Sequence, residues 1–266
     1  MSMAMMAEKT NDRLYETYET LLLKRDQMYR EAGSFQISYT KVFGDLIKAV
    51  FEEKIACIKL KKKITYYQAA LNRGVHVDPE EMEQAIEKDM TMYYRELRQI
   101  TERNENAKNA RPANDIAVHR CKKLYKRIAK RIHPDINPWT AGKMELMDLW
   151  NRTVMAYRAL NVKELEELEV LANHTMEKLG LDTIEIEIPN LEDKIEQVEK
   201  EINEILTTEP YIYEELLDDE DAVQEKKNEL QKELEEYQAY QKELDDALRQ
   251  MMVFDGVSAL WGGQPE

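Results

Sequence analysis

The sequence predicts an all-α protein: a central helical hairpin set between two antiparallel coiled-coil hairpins. Three observations carry this. Apolar residues recur at helical or heptad spacing along most of the chain. Glycine and proline are scarce, 8 and 7 of 266 residues, while 34% of residues are charged and 43% hydrophobic, a mixture typical of long helices. The few breaks coincide with residues that cap or stop helices. Four segments follow from the breaks: an arm over 1–108, a central module over 109–180, an acidic hairpin over 181–252 and a tail over 253–266, the last expected to be disordered.

In the first arm, Met1–Glu8 is expected to fray and helix to run from Asn11, weakened or kinked at Gly33-Ser34 and at Gly44. Phe43, Val50, Cys57, Ile64 and Leu71 fall seven apart, with Leu46, Leu60 and Tyr67 between them, a heptad seam broken by Glu53. Asn72-Arg73-Gly74 stops this helix, Gly74 taking the left-handed cap position. Asp78-Pro79-Glu80-Glu81 opens the next, with Asp78 as cap and Pro79 in the first turn. Met82, Ile86, Tyr93, Leu97 and Ile100 give it an apolar stripe, and two striped helices across a short turn make an antiparallel hairpin. The polar run Asn104–Pro112 reads as a linker and domain boundary. Cys57 reads as a small buried hydrophobe, His76 as a solvated loop residue, and Lys59–Lys63 as a solvated helix face.

The central module holds the most informative stretch, Arg120 to Asp135. Seven of the twelve residues from Arg120 to Arg131 are basic and none is acidic, in a chain of net charge −15. Cys121, Leu124, Tyr125, Ile128, Ala129 and Ile132 form an apolar stripe, so this is one amphipathic helix with a cationic outer face. Pro134 disfavours helix at the residue before it, which ends the helix near Ile132 or His133. After Ile136-Asn137-Pro138 a helix from Met144 to about Leu160 returns. Leu146, Leu149, Trp150, Val154, Ala156, Tyr157 and Leu160 are its core residues, packed on Leu124, Ile128 and Ile132. Asn161 caps or breaks the chain before a further helix over Lys163–Lys178, with Leu165, Leu168, Leu171 and Leu179 inside.

Tyr125-Lys126-Arg127-Ile128-Ala129-Lys130-Arg131-Ile132, then His133-Pro134-Asp135, then Ile136-Asn137-Pro138 and the later Ala156-Tyr157 resemble the J-domain of the DnaJ co-chaperone family. The resemblance spans about residues 112–172, under a quarter of the chain. The family's Tyr-Tyr-x-x-Leu-Gly first-helix motif is missing from Asn104–Asn114. Thr153 stands at a position that is hydrophobic in the family, and Trp150 where a phenylalanine is usual. The glycine/phenylalanine-rich linker and the CxxCxGxG zinc repeats of larger members are absent, and Cys57 and Cys121 cannot form such a site.

The resemblance implies a J-domain-like hairpin between the two arms. It implies a chain with no catalytic activity, cofactor or metal of its own, whose partner is a DnaK-type ATPase chaperone. By position, Lys122, Tyr125, Lys126, Arg127 and Lys130 are the implied contacts on the basic helix. His133, Pro134 and Asp135 are the implied trigger of ATP hydrolysis, with Asn137 beside them. In the family the aspartate of this triplet engages an arginine of the partner. A carboxylate on a rigid corner is suited to a bidentate guanidinium contact.

In the C-terminal part, Ile184–Ile188 alternates and reads as an extended connector, since a lone strand has no partner. Asn190 caps a helix whose seam is Leu191, Ile195, Val198, Ile202 and Ile205. Thr207-Thr208-Glu209-Pro210 breaks it. Val223, Leu230, Tyr237, Leu244 and Met251 then recur every seven residues, with Leu234 and Leu248 between, and the two helices are expected to pair as an acidic antiparallel hairpin. Its outer face suits solubility or a client or partner protein, and its exposed heptad edges allow a homodimer.

A pI near 4.9 argues against nucleic acid as the main partner. No apolar run reaches the length of a membrane span, the first residues lack a secretory pattern, and two distant cysteines give no disulfide framework; the cytoplasm is the expected compartment. His133 and Asp135 have no nucleophile or oxyanion hole in sequence that would make them hydrolytic. The expected function is therefore J-domain co-chaperone, with the arms choosing the client or partner. The alternative is a structural coiled-coil scaffold whose J-like segment no longer acts on a chaperone.

Overall fold

A computed structural model describes the backbone of residues 3–110, 114–181 and 188–261, and side chains within them from Arg13 to Asp255. The fold is all-α, with no strand among the described residues. In chain order the helices are α1 (Met3–Arg73), α2 (Pro79–Asn109), α3 (Asp115–Ile132), α4 (Pro138–Ala141), α5 (Met144–Arg158), α6 (Val162–Lys178), α7 (Leu191–Thr207), α8 (Tyr213–Asp218) and α9 (Glu220–Trp261). No described helix is long and apolar enough to cross a membrane.

The chain divides into two compact units, Met1–Gln36 with Arg111–Glu214, and Ile37–Ala110 with Glu215–Glu266. These boundaries differ from the four segments read from sequence. The first 36 residues belong with the central module, not with the first arm. The expected linker Asn104–Pro112 is helical as far as Asn109, and the boundary falls after Ala110. Polar composition marked a solvated face there, and a solvated face is as compatible with helix as with loop.

In the first unit α3, α5 and α6 form a three-helix bundle. Leu124, Ile128, Ile132, Leu146, Leu149, Trp150, Ala156, Tyr157, Leu165 and Leu168 are buried together, with Val154, Leu160 and Leu179 half-buried against them. Leu171 is exposed, contrary to expectation. Thr153 is fully buried, and its hydroxyl donates to the Leu149 carbonyl at 2.7 Å. That bond satisfies the polar group inside the core, so the hydroxyl is accommodated where an apolar side chain was expected. Asn161 caps α6, its Oδ1 accepting from the Glu164 N–H at 3.2 Å. A second cluster joins Tyr18, Leu22 and Met28 of α1 to Leu191, Val198, Ile202 and Ile205 of α7.

The α7 stripe is thus covered by α1, while α9 belongs to the other unit. Periodicity says that a helix buries a face; it does not say which helix covers it. Asn190 stands at the start of α7 in the left-handed conformation, without a side-chain capping bond. Residues 182–187, most of the expected connector, lie outside the described residues.

In the second unit α1 and α2 make the expected hairpin. Gly74 takes a positive φ of 65°, and Asp78 Oδ1 accepts from the N–H groups of Glu80 and Glu81 at 2.8 and 3.2 Å. Ile55, Tyr67, Met82, Ile86 and Met90 share a core with Leu248 of α9. Gly44 does not break α1, which is continuous for 71 residues. Its missing side chain admits Asn104 of α2, which a Cβ at Gly44 would strike, and Asn104 Nδ2 donates to Asp45 at 2.7 Å. The tail is helical through Trp261. Asp255 is buried and its carboxylate lies 2.8 Å from His76 Nδ1; the His76 side chain is 59% exposed, so it is solvated as expected and also has a partner.

Candidate partner-binding site

The corner at the end of α3 is built by its own backbone. Asn114 caps the start of α3, its Oδ1 accepting from the Ile116 N–H at 2.9 Å. At the other end the His133 N–H still bonds the Ala129 carbonyl at 2.9 Å, and the chain then turns with Asn137 N–H on the His133 carbonyl at 2.7 Å. Asn137 is 1% exposed and its amide donates to the carbonyls of Lys130 and His133 at 3.3 and 3.4 Å. Asn137 therefore closes the C-terminus of α3, where carbonyls lack helical partners.

His133 is fully engaged. Its Nδ1 accepts the Asp135 N–H at 3.0 Å, which places the ring proton on Nε2, by the rule that a neutral imidazole donates from one nitrogen and accepts at the other. Nε2 faces Asp26 Oδ2 of α1 at 3.3 Å. The ring packs on Trp150, centroids 4.4 Å apart, and the residue is 2% exposed. Neither nitrogen is left for a substrate.

Tyr125 is likewise buried. Its ring stacks on Tyr157 at 4.1 Å and its hydroxyl donates to Asp26 Oδ2 at 2.8 Å. Tyr125 touches Tyr157 and Trp150, and His133 touches Trp150, so α3 and α5 run antiparallel. Of the residues expected at a partner surface, Tyr125, His133 and Asn137 are buried, held by the hydrophobic stripe and the helix end.

The remaining residues of the expected set are outward. Lys122, Lys126, Arg127 and Lys130 are exposed. Arg127 pairs with Glu169 of α6, Nη2 to Oε2 2.8 Å, and Lys130 with Glu19 of α1 at 2.9 Å. Arg120 also pairs with Glu166. Lys122 and Lys126 line a cavity of about 240 Å³ between α1 and α3 together with Lys24, Thr20 and Gln27. Pro134 is half-buried, and the side chain of Asp135 is 43% exposed.

Sequence reasoning missed the other half of the site. Arg25 of α1 reaches Asp135 at 3.4 Å, Asp26 at 3.2 Å and Glu201 of α7 at 3.0 Å. Burial works against the Arg25 charge, but these three carboxylates outweigh it and raise its pKa. Burial also works against Asp26, whose carboxyl is nevertheless held below the ordinary carboxylate range by His133, Arg25 and the Tyr125 hydroxyl. Burial, then the Asp26 charge, pushes the Tyr125 phenol far up. Burial and the Asp135 charge push Tyr18 up to about 12. A signal was present in the sequence. Tyr18, Leu22 and Met28 share one buried face of α1, and Arg25-Asp26 interrupts it where an apolar residue belongs. A charged pair at such a position needs buried partners. Among the described residues no cluster of His, Cys, Asp and Glu could hold a metal.

The chain matches no protein-family model, no curated protein and no solved structure.

Proposed function

We propose that this protein is a J-domain-type co-chaperone that binds a DnaK-type ATPase chaperone and stimulates its ATP hydrolysis. One observation supports this most. An unpaired lysine face on α3, Lys122 and Lys126, leads to a corner where the Asp135 carboxylate stands partly exposed on backbone pinned by His133 and Asn137. A cationic face accelerates encounter with an acidic surface and orients it. A carboxylate on rigid backbone then accepts a guanidinium in fixed geometry. Stimulation is a population shift: the corner binds the hydrolysis-competent arrangement of the chaperone better than the others.

In this reading Lys122, Lys126, Arg127, Lys130, Pro134 and Asp135 make contact. Tyr125, His133 and Asn137 position them. The acidic α2 and α9 faces serve client or partner choice, and the compartment is the cytoplasm. The test is single-turnover ATP hydrolysis by a DnaK-type chaperone. The chain should accelerate it, Asp135→Asn should not, and Lys122→Glu with Lys126→Glu should shift the response to higher protein concentration. A chain inert in every form, including with Arg25 replaced, contradicts the reading.

A second reading is favoured by the burial of His133. There the corner is a structural junction joining α1, α3 and α7 in a scaffold protein, and Asp135→Asn alters stability alone.

A further inference from the structure

Arg25 does to Asp135 what an incoming guanidinium would do. It sits on the one carboxylate of the corner that faces outward, and it is not free to drift. Asp26 meets the same Nη2 as Asp135, at 3.2 Å, and Glu201 holds Nη1 at 3.0 Å, and the Arg25 side chain is only 15% exposed. Asp26 is in turn fixed by the Tyr125 hydroxyl and the His133 ring. The side-chain chain Glu201–Arg25–Asp26–His133 therefore runs from α7 through α1 to the corner. None of these groups is left without a partner, so the closed arrangement is a defined state and not a loose encounter.

We propose that Arg25 is an internal competitor for Asp135, so that the corner is capped until a partner bearing its own guanidinium or ammonium group displaces it. This rests on the co-chaperone reading above and concerns how that site is regulated. The kind of partner surface follows from the geometry. It must present a cation to Asp135 while its acidic neighbours meet Lys122 and Lys126, because an equivalent charge seated on Asp135 is what keeps Arg25 from returning. The Asp135 exchange can occur without moving α1. Arg25 keeps Asp26 and Glu201 as partners, and Asp135 keeps its backbone bond to His133. Glu201 sets how tightly the cap holds, since it fixes the guanidinium through Nη1, the nitrogen that does not meet Asp135.

The consequence is measurable because a partner that binds only the uncapped form has its affinity reduced by the uncapped fraction. With the corner uncapped a tenth of the time, Arg25→Gln should bring half-maximal stimulation of single-turnover hydrolysis at roughly tenfold lower protein concentration. Glu201→Gln, which leaves every residue of α3 and the corner in place, should shift it in the same direction by less. Asp135→Asn should abolish stimulation in either background.

Thermal unfolding of each variant identifies any loss that is due to misfolding, and Glu201→Gln carries the test if Arg25→Gln does not fold. Equal or weaker stimulation by both folded variants, with wild type still dependent on Asp135, overturns the cap and leaves the co-chaperone reading standing. No stimulation by any form overturns the reading, and the cap with it.

Discussion

Two charged clusters of this protein look alike on paper and differ in kind. In the second unit Lys59 meets Glu83 and Glu87 at 2.5 Å, Lys63 meets Glu83 at 2.9 Å and Lys62 meets Asp89 at 2.7 Å. In the first unit Arg25 meets its three carboxylates at 3.0–3.4 Å. The shorter distances belong to the less consequential cluster. The lysine ladder is solvated, with side chains 24–60% exposed, and such pairs gain little over hydration. At the corner Arg25 and Asp26 are 15% and 13% exposed. Charges taken out of water cost several kcal/mol each and survive only as a complete set. Exposure, not distance, decides which cluster tolerates loss of a member.

The largest test of that contrast is Asp26→Ala. It leaves the His133 Nε2–H, the Tyr125 hydroxyl and part of the Arg25 charge without an acceptor, and should cost about 3–5 kcal/mol in urea unfolding. Tyr125→Phe keeps the ring stacked on Tyr157 and removes one hydrogen bond to a charged group, a loss of about 1.5–3 kcal/mol. If either variant unfolds like wild type, the corner is not the polar keystone of the first unit.

Acid sharpens the comparison. The folded Asp26 pKa lies below its ordinary value of 3.8, so its contribution is complete above that value and is lost as pH falls through the lower, folded one. Asp26→Asn should therefore flatten the acid limb of the stability curve. Glu83 and Asp89 are lowered as well, through their lysine hydrogen bonds, but both are solvated. Salt near 1 M, where the screening length is about 3 Å, should erase their share and leave that of Asp26. The smallest effect belongs to Lys59→Ala, at most about 1 kcal/mol and smaller still in high salt. A larger loss would show that the ladder is not simply a solvated face.

The same contrast explains what could be read from the chain. Helices and caps were plain because they are local: Asp78, Gly74 and Asn161 act within four residues of themselves. The apolar stripe of α3 and the outward Lys122 and Lys126 were plain for the same reason. Arg25 and Glu201 were not. They lie 110 and 66 positions from Asp135 in sequence (135 − 25 and 201 − 135), and no local pattern links them. The pairing of α7 with α1 was hidden because apolar stripes are interchangeable as partners. His133 and Asn137 were legible as members of the corner but not as buried ones, since a motif names residues without saying which way the fold turns them.

The measurement that bears most directly on the account is single-turnover ATP hydrolysis by a DnaK-type chaperone with Arg25→Gln and with Arg25→Gln combined with Asp135→Asn. The account predicts that the single variant stimulates strongly and that the second substitution returns hydrolysis to the rate of the chaperone alone. Equal stimulation by the two proteins would show that the Asp135 carboxylate is not what the partner reads, and would contradict it.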